Sequence, residues 1–366
     1  MLAALCLWPG AAGARAPYSS GAYGRAGIAP DGNLGRVDSH GGLAAVLQRS
    51  TGVVSLVDVR DPLHPKVTGE YADGAKGSLD GDVAFSHDGS FLFYARQTEQ
   101  FSKDGILVLD VSDPSTPSLA SYQPGGGALR VDTYYDGSTE WVFLLDAVSG
   151  FVVYRFVPET GVLVPVHVDA LPATKVGGPA SGGLFVEPSD PQTKTPLLYV
   201  TTGTTGLQVF DISDPSMPQE LGAWDGAGLA EVEVRATPSS RTIYAATEYW
   251  FNAGTKPEVV VLDAGDLTAI KEKKPFSIGA PAQDDARIQG MELVGRKLLV
   301  AHSERYLVSF PGGDVVGPWG PQPCKAPPRA LCVDAFLGGS IADVERAGRN
   351  LLVTDSLRGD LYVLRP

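Results

Sequence analysis

The feature that most constrains this chain is a short phrase that recurs along it. It reads GVVSLVDVRDPLHP at 52–65, GILVLDVSDPSTP at 105–117 and GLQVFDISDPSMP at 206–218. A weaker copy, EVVVLDAGDLTA, stands at 258–269. Each copy alternates apolar residues and, in the three strong copies, then meets Asp-Pro. That is a short strand ended by a turn, because proline cannot donate to a sheet ladder and Asp-Pro favours a bend. The strand aspartates Asp58, Asp110, Asp211 and Asp263 lie 52, 101 and 52 residues apart, so the unit is near fifty residues and the motif skips one unit. The segment GFVVYRFVPETGVLVP at 150–165 fills the gap, and RYLVSFPGG at 305–313 and DLYVLRP at 360–366 continue the series. An all-strand period of this length is the signature of a β-propeller blade. The expectation is an all-β fold, a β-propeller of seven four-stranded blades.

The phrases SLVDVRDP, LVLDVSDP and LQVFDISDP resemble the LVIVD repeat of secreted or surface bacterial proteins. The resemblance is strong in three units, weaker in the fourth and positional in the others. It implies a propeller and an exported location: extracellular, periplasmic or on the cell surface. It brings no shared catalytic motif.

A repeat array closes into one body, so residues 17–366 read as a single domain. The 44 glycines, 28 prolines and only 19% charged residues suit many short strands and turns. The C-terminal unit, from about 341, has room for three strands. A strand around Ala22–Ile28 is expected to complete it, closing the ring and covering two exposed edges. The formal net charge of −13 disfavours nucleic acid and anionic membranes, which call for a basic face.

Residues 1–16, MLAALCLWPGAAGARA, read as a secretory signal without a positive n-region, ending in two A-x-A sites. The stretch is too short to span a bilayer. Cys324 and Cys332 then remain as a pair in a proline-rich loop, and in an exported chain they are expected to form a disulfide.

The expected first strands carry an acid in most blades: Asp38, Asp82, Asp132, Glu233, Glu292 and Asp343. Two readings stand. These carboxylates hold Ca²⁺ in the central channel, as a hard cation rich in oxygen ligands requires, or they line a wet channel and cap backbone amides between blades. The aspartates of the repeated phrase read as structural, since a short carboxylate before a turn accepts backbone N–H bonds. The loop EYWFNAGTK at 248–256 sets Tyr249, Trp250 and Phe251 side by side, and three adjacent aromatics cannot all point inward. With His302 and Arg305 in AHSER, and with Arg287 and Lys103, they mark a candidate binding face for a protein or glycan. The alternative for these aromatics is packing on a neighbouring blade. No nucleophile elbow, phosphate loop or haem-attachment motif is present. The two functions in contention are a binding module without evident catalysis and a hydrolase or lyase with a Ca²⁺-assisted acidic site.

Overall fold

A computed structural model describes residues 24–72, 74, 78–98, 103–169, 182–203, 206–226, 228–247, 258–277, 288–294, 297–302, 306–311 and 340–364. These residues form antiparallel sheets in which consecutive strands pair, plus one 3-10 turn at Leu267–Ala269. The first sheet comprises Leu34–His40, Leu43–Gln48, Val53–Asp58 and Lys66–Tyr71. The second comprises Ser78–Phe85, Phe91–Thr98, Gly105–Asp110 and Ser118–Pro124. The third comprises Ala128–Tyr135, Glu140–Asp146, Gly150–Val157 and Val162–Asp169. The fourth comprises Gly182–Glu187, Leu197–Thr202, Gly206–Asp211 and Gln219–Trp224. The fifth comprises Leu229–Thr237, Ser240–Thr247, Glu258–Asp263 and Lys271–Ser277.

A three-stranded sheet follows, with Ile288–Val294, Lys297–His302 and Tyr306–Pro311. In the last sheet Ile341–Ala347, Asn350–Asp355 and Asp360–Leu364 are joined by Gly24–Gly27 from the other end of the chain. Gly24 pairs with Val363 and Gly27 with Asp360, and Arg25 Nε meets Asp360 Oδ1 at 2.8 Å. The fold is thus an all-β propeller with six four-stranded blades. The expectation of seven four-stranded blades is corrected at one place: the sheet at 288–311 has three strands among the described residues.

The second and third strands are buried on both faces because each sheet is packed between two others. In Leu43–Gln48, Ala45 and Leu47 pack toward Val83, Leu92 and Tyr94 of the second sheet, while Ala44 and Val46 pack toward Leu352 and Val363 of the last. The period of two distributes alternate side chains to the two faces, so short continuous apolar runs are what such strands need. The outermost strands are more polar and more exposed, as in Lys66–Tyr71 and Gln219–Trp224.

The repeated phrase folds the same way each time it occurs. Its strand aspartate accepts a hydrogen bond from the N–H two residues on: Arg60 to Asp58, Ser112 to Asp110, Ser213 to Asp211 and Gly265 to Asp263. The next aspartate repeats the contact with Leu63 to Asp61, Ser115 to Asp113, Ser216 to Asp214 and Thr268 to Asp266. Two Asx turns in tandem carry the chain from the third strand to the fourth. The fourth copy keeps both turns although it lacks the proline. The turns of the first, second and fifth sheets dock on the sheet before: a Cβ at Gly24 would overlap the Pro62 carbonyl. A Cβ at Gly69 would overlap the Pro114 carbonyl, and one at Gly222 would overlap that of Leu267. Where Ser121 takes this place, its hydroxyl donates to the Gly161 carbonyl at 2.5 Å.

Candidate functional site

The innermost strands neighbour one another in ring order and line the central channel. Most begin with a β-bulge, between Leu34 and Val37, Ala128 and Arg130, Leu229 and Glu231, Ile288 and Gly290, and Ile341 and Asp343. A bulge re-aims the side chain at its end. Two levels of polar residues result.

The level at the bulges is ionic. Arg36 and Arg130 both reach Glu231 Oε1, Arg130 Nη2 at 2.7 Å, and Arg36 Nη1 also faces Asp343 Oδ1 at 3.5 Å. These four side chains come from the first, third, fifth and last sheets, and all are buried. The level two residues further along holds carboxylates: Asp38, Asp132, Glu233, Glu292 and Glu345. Asp82 and Asp343 were grouped with them on sequence alone; the register sets both at the ionic level and adds Glu345 to the carboxylates.

Four carboxylates bridge adjacent sheets. Asp343 Oδ2 accepts from Val37 N at 3.0 Å, Asp38 Oδ2 from Phe85 N at 2.7 Å, Asp82 Oδ2 from Val131 N at 3.2 Å and Asp132 Oδ2 from Val186 N at 2.8 Å. The run links the last sheet to the first and continues to the fourth. It stops there because the strand Gly182–Glu187 places Gly183 and Phe185, not carboxylates, at the two levels. Asp38, Asp82 and Asp132 also take the N–H of the residue that follows each, on the other oxygen. Glu233, Glu292 and Glu345 make no such bond among the described residues.

Burial governs the charge of the channel carboxylates. It pushes Asp38 up to about 6, against the bonds from Phe85 and Ser39, and Asp132 up to about 7. Asp82 is raised by the same desolvation, tempered by Arg36 and Arg130. Asp343 rises to about 7 and Glu292 to about 8, although Arg346 opposes the latter. Glu233 and Glu345 are raised well above the ordinary range by burial and by the surrounding carboxylates, Glu292 among them. The half of the channel without amide donors is therefore the half that holds protons most firmly.

At the turn end of the inner strands, His87 stacks on Tyr135 with ring centroids 4.3 Å apart and 10° between planes. The His87 N–H donates to Glu140 Oε2 at 3.0 Å, and burial raises Glu140 to about 7. Nearby Asp136 is held at about 2: partial burial is outweighed by bonds from Trp141 Nε1, Ser138 and Thr139. Sequence reasoning placed His87 in a turn but missed its aromatic partner, which lies on the next sheet.

Of the binding-face residues expected from sequence, Tyr249, Trp250, Phe251, Arg287 and Arg305 lie outside the described residues, as do Cys324, Cys332 and the 1–16 segment. His302 ends its strand, paired with Ile288 and Tyr306. Lys103 is exposed before the third strand of the second sheet, its carbonyl accepting from Arg96 Nε. The structure brings the inner-strand acids to one channel. Among the described residues, no three His, Cys, Asp or Glu side chains come together as a group able to hold a metal ion. Arg36, Arg130, Glu231 and Glu345 were missed; a charged residue two before Asp38, Asp132 and Glu233 was the available signal.

The LVIVD repeat family model matches residues 101–122 and 197–225, in the second and fourth sheets. This is a β-propeller carrying LVIVD repeats. Solved structures support the propeller fold. Saccharomyces cerevisiae Sqt1 aligns with a TM-score of 0.58 at 11% identity, over 93% of this chain and 97% of that one. The Cps50 (Swd1) β-propeller domain of Myceliophteria thermophila gives 0.58 at 11%, over 94% and 99%. BamB from Moraxella catarrhalis gives 0.52 at 12%, over 93% and 96%. At these identities the likeness speaks for the fold alone. A comparison with curated proteins gives no match. No helix among the described residues is long and apolar enough to cross a membrane.

Proposed function

We propose that this LVIVD-repeat propeller is an exported binding module for a protein or glycan. The observation that carries the reading is the use made of the channel carboxylates. Asp38, Asp82, Asp132 and Asp343 bridge inner strands through backbone amides, so they act as fasteners of a rigid ring. A rigid ring displays its loops with little conformational cost on binding. The loop with Tyr249, Trp250 and Phe251, together with His302, Arg305 and Arg287, is the face we assign to the partner. The three-stranded sheet at 288–311 acts as the seventh unit of the ring. Residues 1–16 serve as the export signal and Cys324 pairs with Cys332; the mature chain then starts after the signal and is two hydrogens lighter than its reduced form.

The test compares the intact chain with a variant in which Tyr249, Trp250 and Phe251 are alanine. Both are applied to a glycan array and, carrying a photo-crosslinker at Lys103, to the exported proteins of the producing cell. Capture by the intact chain that is lost in the variant, with both melting alike, supports the assignment. Equal capture by both, or none by either, refutes it.

A further inference from the structure

The ionic level of the channel holds a chemistry separate from the proposed binding face. Two buried guanidinium groups, Arg36 from the first sheet and Arg130 from the third, converge on one oxygen of Glu231 from the fifth. Guanidinium forks match carboxylates in shape and charge, and a pair of them in a dry setting is a carboxylate receptor. Two glycines give the acids room. A Cβ at Gly183 would press on the Glu231 backbone, and a Cβ at Gly290 would collide with the Asp343 carboxylate. Asp343 is already bonded to Val37 N and sits 3.5 Å from Arg36, and Asp82 has both oxygens on the backbone amides of Val83 and Val131, which leaves the shared position between the arginines to Glu231.

We propose that Arg36 and Arg130 form a binding site for a small carboxylate, which Glu231 of this same chain occupies as an internal contact. Without that side chain, both guanidinium groups lose the one oxygen they share, while Asp343 and Asp82 stay fastened to Val37 N and Val131 N, and removing one partner from a buried ionic contact is strongly destabilising. A free carboxylate of formate size restores the pairing without new bulk.

The experiment measures melting midpoints of the full chain in sodium formate against sodium chloride at equal ionic strength. For Glu231→Ala, the midpoint is expected to rise by several degrees with formate and to saturate. The unaltered chain, Glu231→Gln (which keeps the volume filled) and the Arg130→Met, Glu231→Ala double variant are expected not to respond. Equal midpoints of Glu231→Ala in the two salts overturn the proposal, as does an equal formate response in the double variant. Should Glu231→Ala not fold in chloride, refolding from urea in formate is expected to recover it. Recovery in neither salt also overturns the proposal.

Discussion

The rim and the channel of this propeller are built on opposite plans. At the rim, four sheets use the same two Asx turns, each at the same offset from its strand. In the channel, one level runs through Arg36, Asp82, Arg130, Gly183, Glu231, Gly290 and Asp343, no two neighbours alike, and the ion pairs of Glu231 cross between sheets that are not adjacent. The rim repeats because these blades meet the same local problem, the passage from third strand to fourth. The channel differs around the circle because its residues answer one another once. The repeated part therefore records the architecture and the unrepeated part records what is individual to this protein.

The largest test of that contrast removes one member of the crossing network. Arg130→Met leaves Glu231 short of a buried partner and is expected to cost about 3–5 kcal/mol in urea unfolding; a loss no larger than that of a surface change would make the network incidental. At the rim, Gly222→Val sets a side chain against the Leu267 carbonyl and is expected to cost about 1–3 kcal/mol. Gly69→Val should cost the same, since it meets the equivalent turn, and a clear inequality would break the claim that the rim is uniform. Removing a turn acceptor is smaller still: Asp110→Ala and Asp211→Ala are each expected to cost about 1 kcal/mol.

The channel also sets a pH dependence. Burial raises Glu292 from 4.5 to about 8, so between those values the folded chain holds a proton that the unfolded chain has lost. Stability contributed by this group is complete below the lower value and declines as pH rises through the upper one. Asp38, Asp132 and Asp343, raised to about 6, 7 and 7, act in the same direction. Glu292→Gln is expected to lose less of its melting midpoint than the unaltered chain between about pH 5 and about pH 8. An identical fall in both would remove Glu292 from the account. The smallest effect is expected from metal: midpoints in calcium and in EDTA should coincide, because the fastening oxygens are already engaged by amides. A calcium-dependent rise would revive a metal-assisted channel.

Much of the rim was legible in the sequence. A motif that repeats near fifty residues gives strands, turns and their order, and Asp-Pro after an alternating run marks the same corner each time. Even the docking glycine has a trace: Gly69, Ser121 and Gly222 each stand four residues after the last proline of their phrase. The channel was half legible. Acids on inner strands are visible as letters, but which level each occupies depends on where the bulge falls, and that is why Asp82 and Asp343 stand at the ionic level and Glu345 joins the carboxylates. The convergence of Arg36 and Arg130 on Glu231 could not be read, since it joins residues as much as 195 positions apart through the closure of the whole circle.

That closure has a consequence in time. The strand Gly24–Gly27 is made more than three hundred residues before its partner Asp360–Leu364. At synthesis rates of about 5–20 residues per second, the wait is on the order of 20–70 s. Through that interval the newborn chain is an open arc with two unpaired edges, one at each end. A chain cut short before Asp360–Leu364 leaves Gly24–Gly27 without the strand it pairs with.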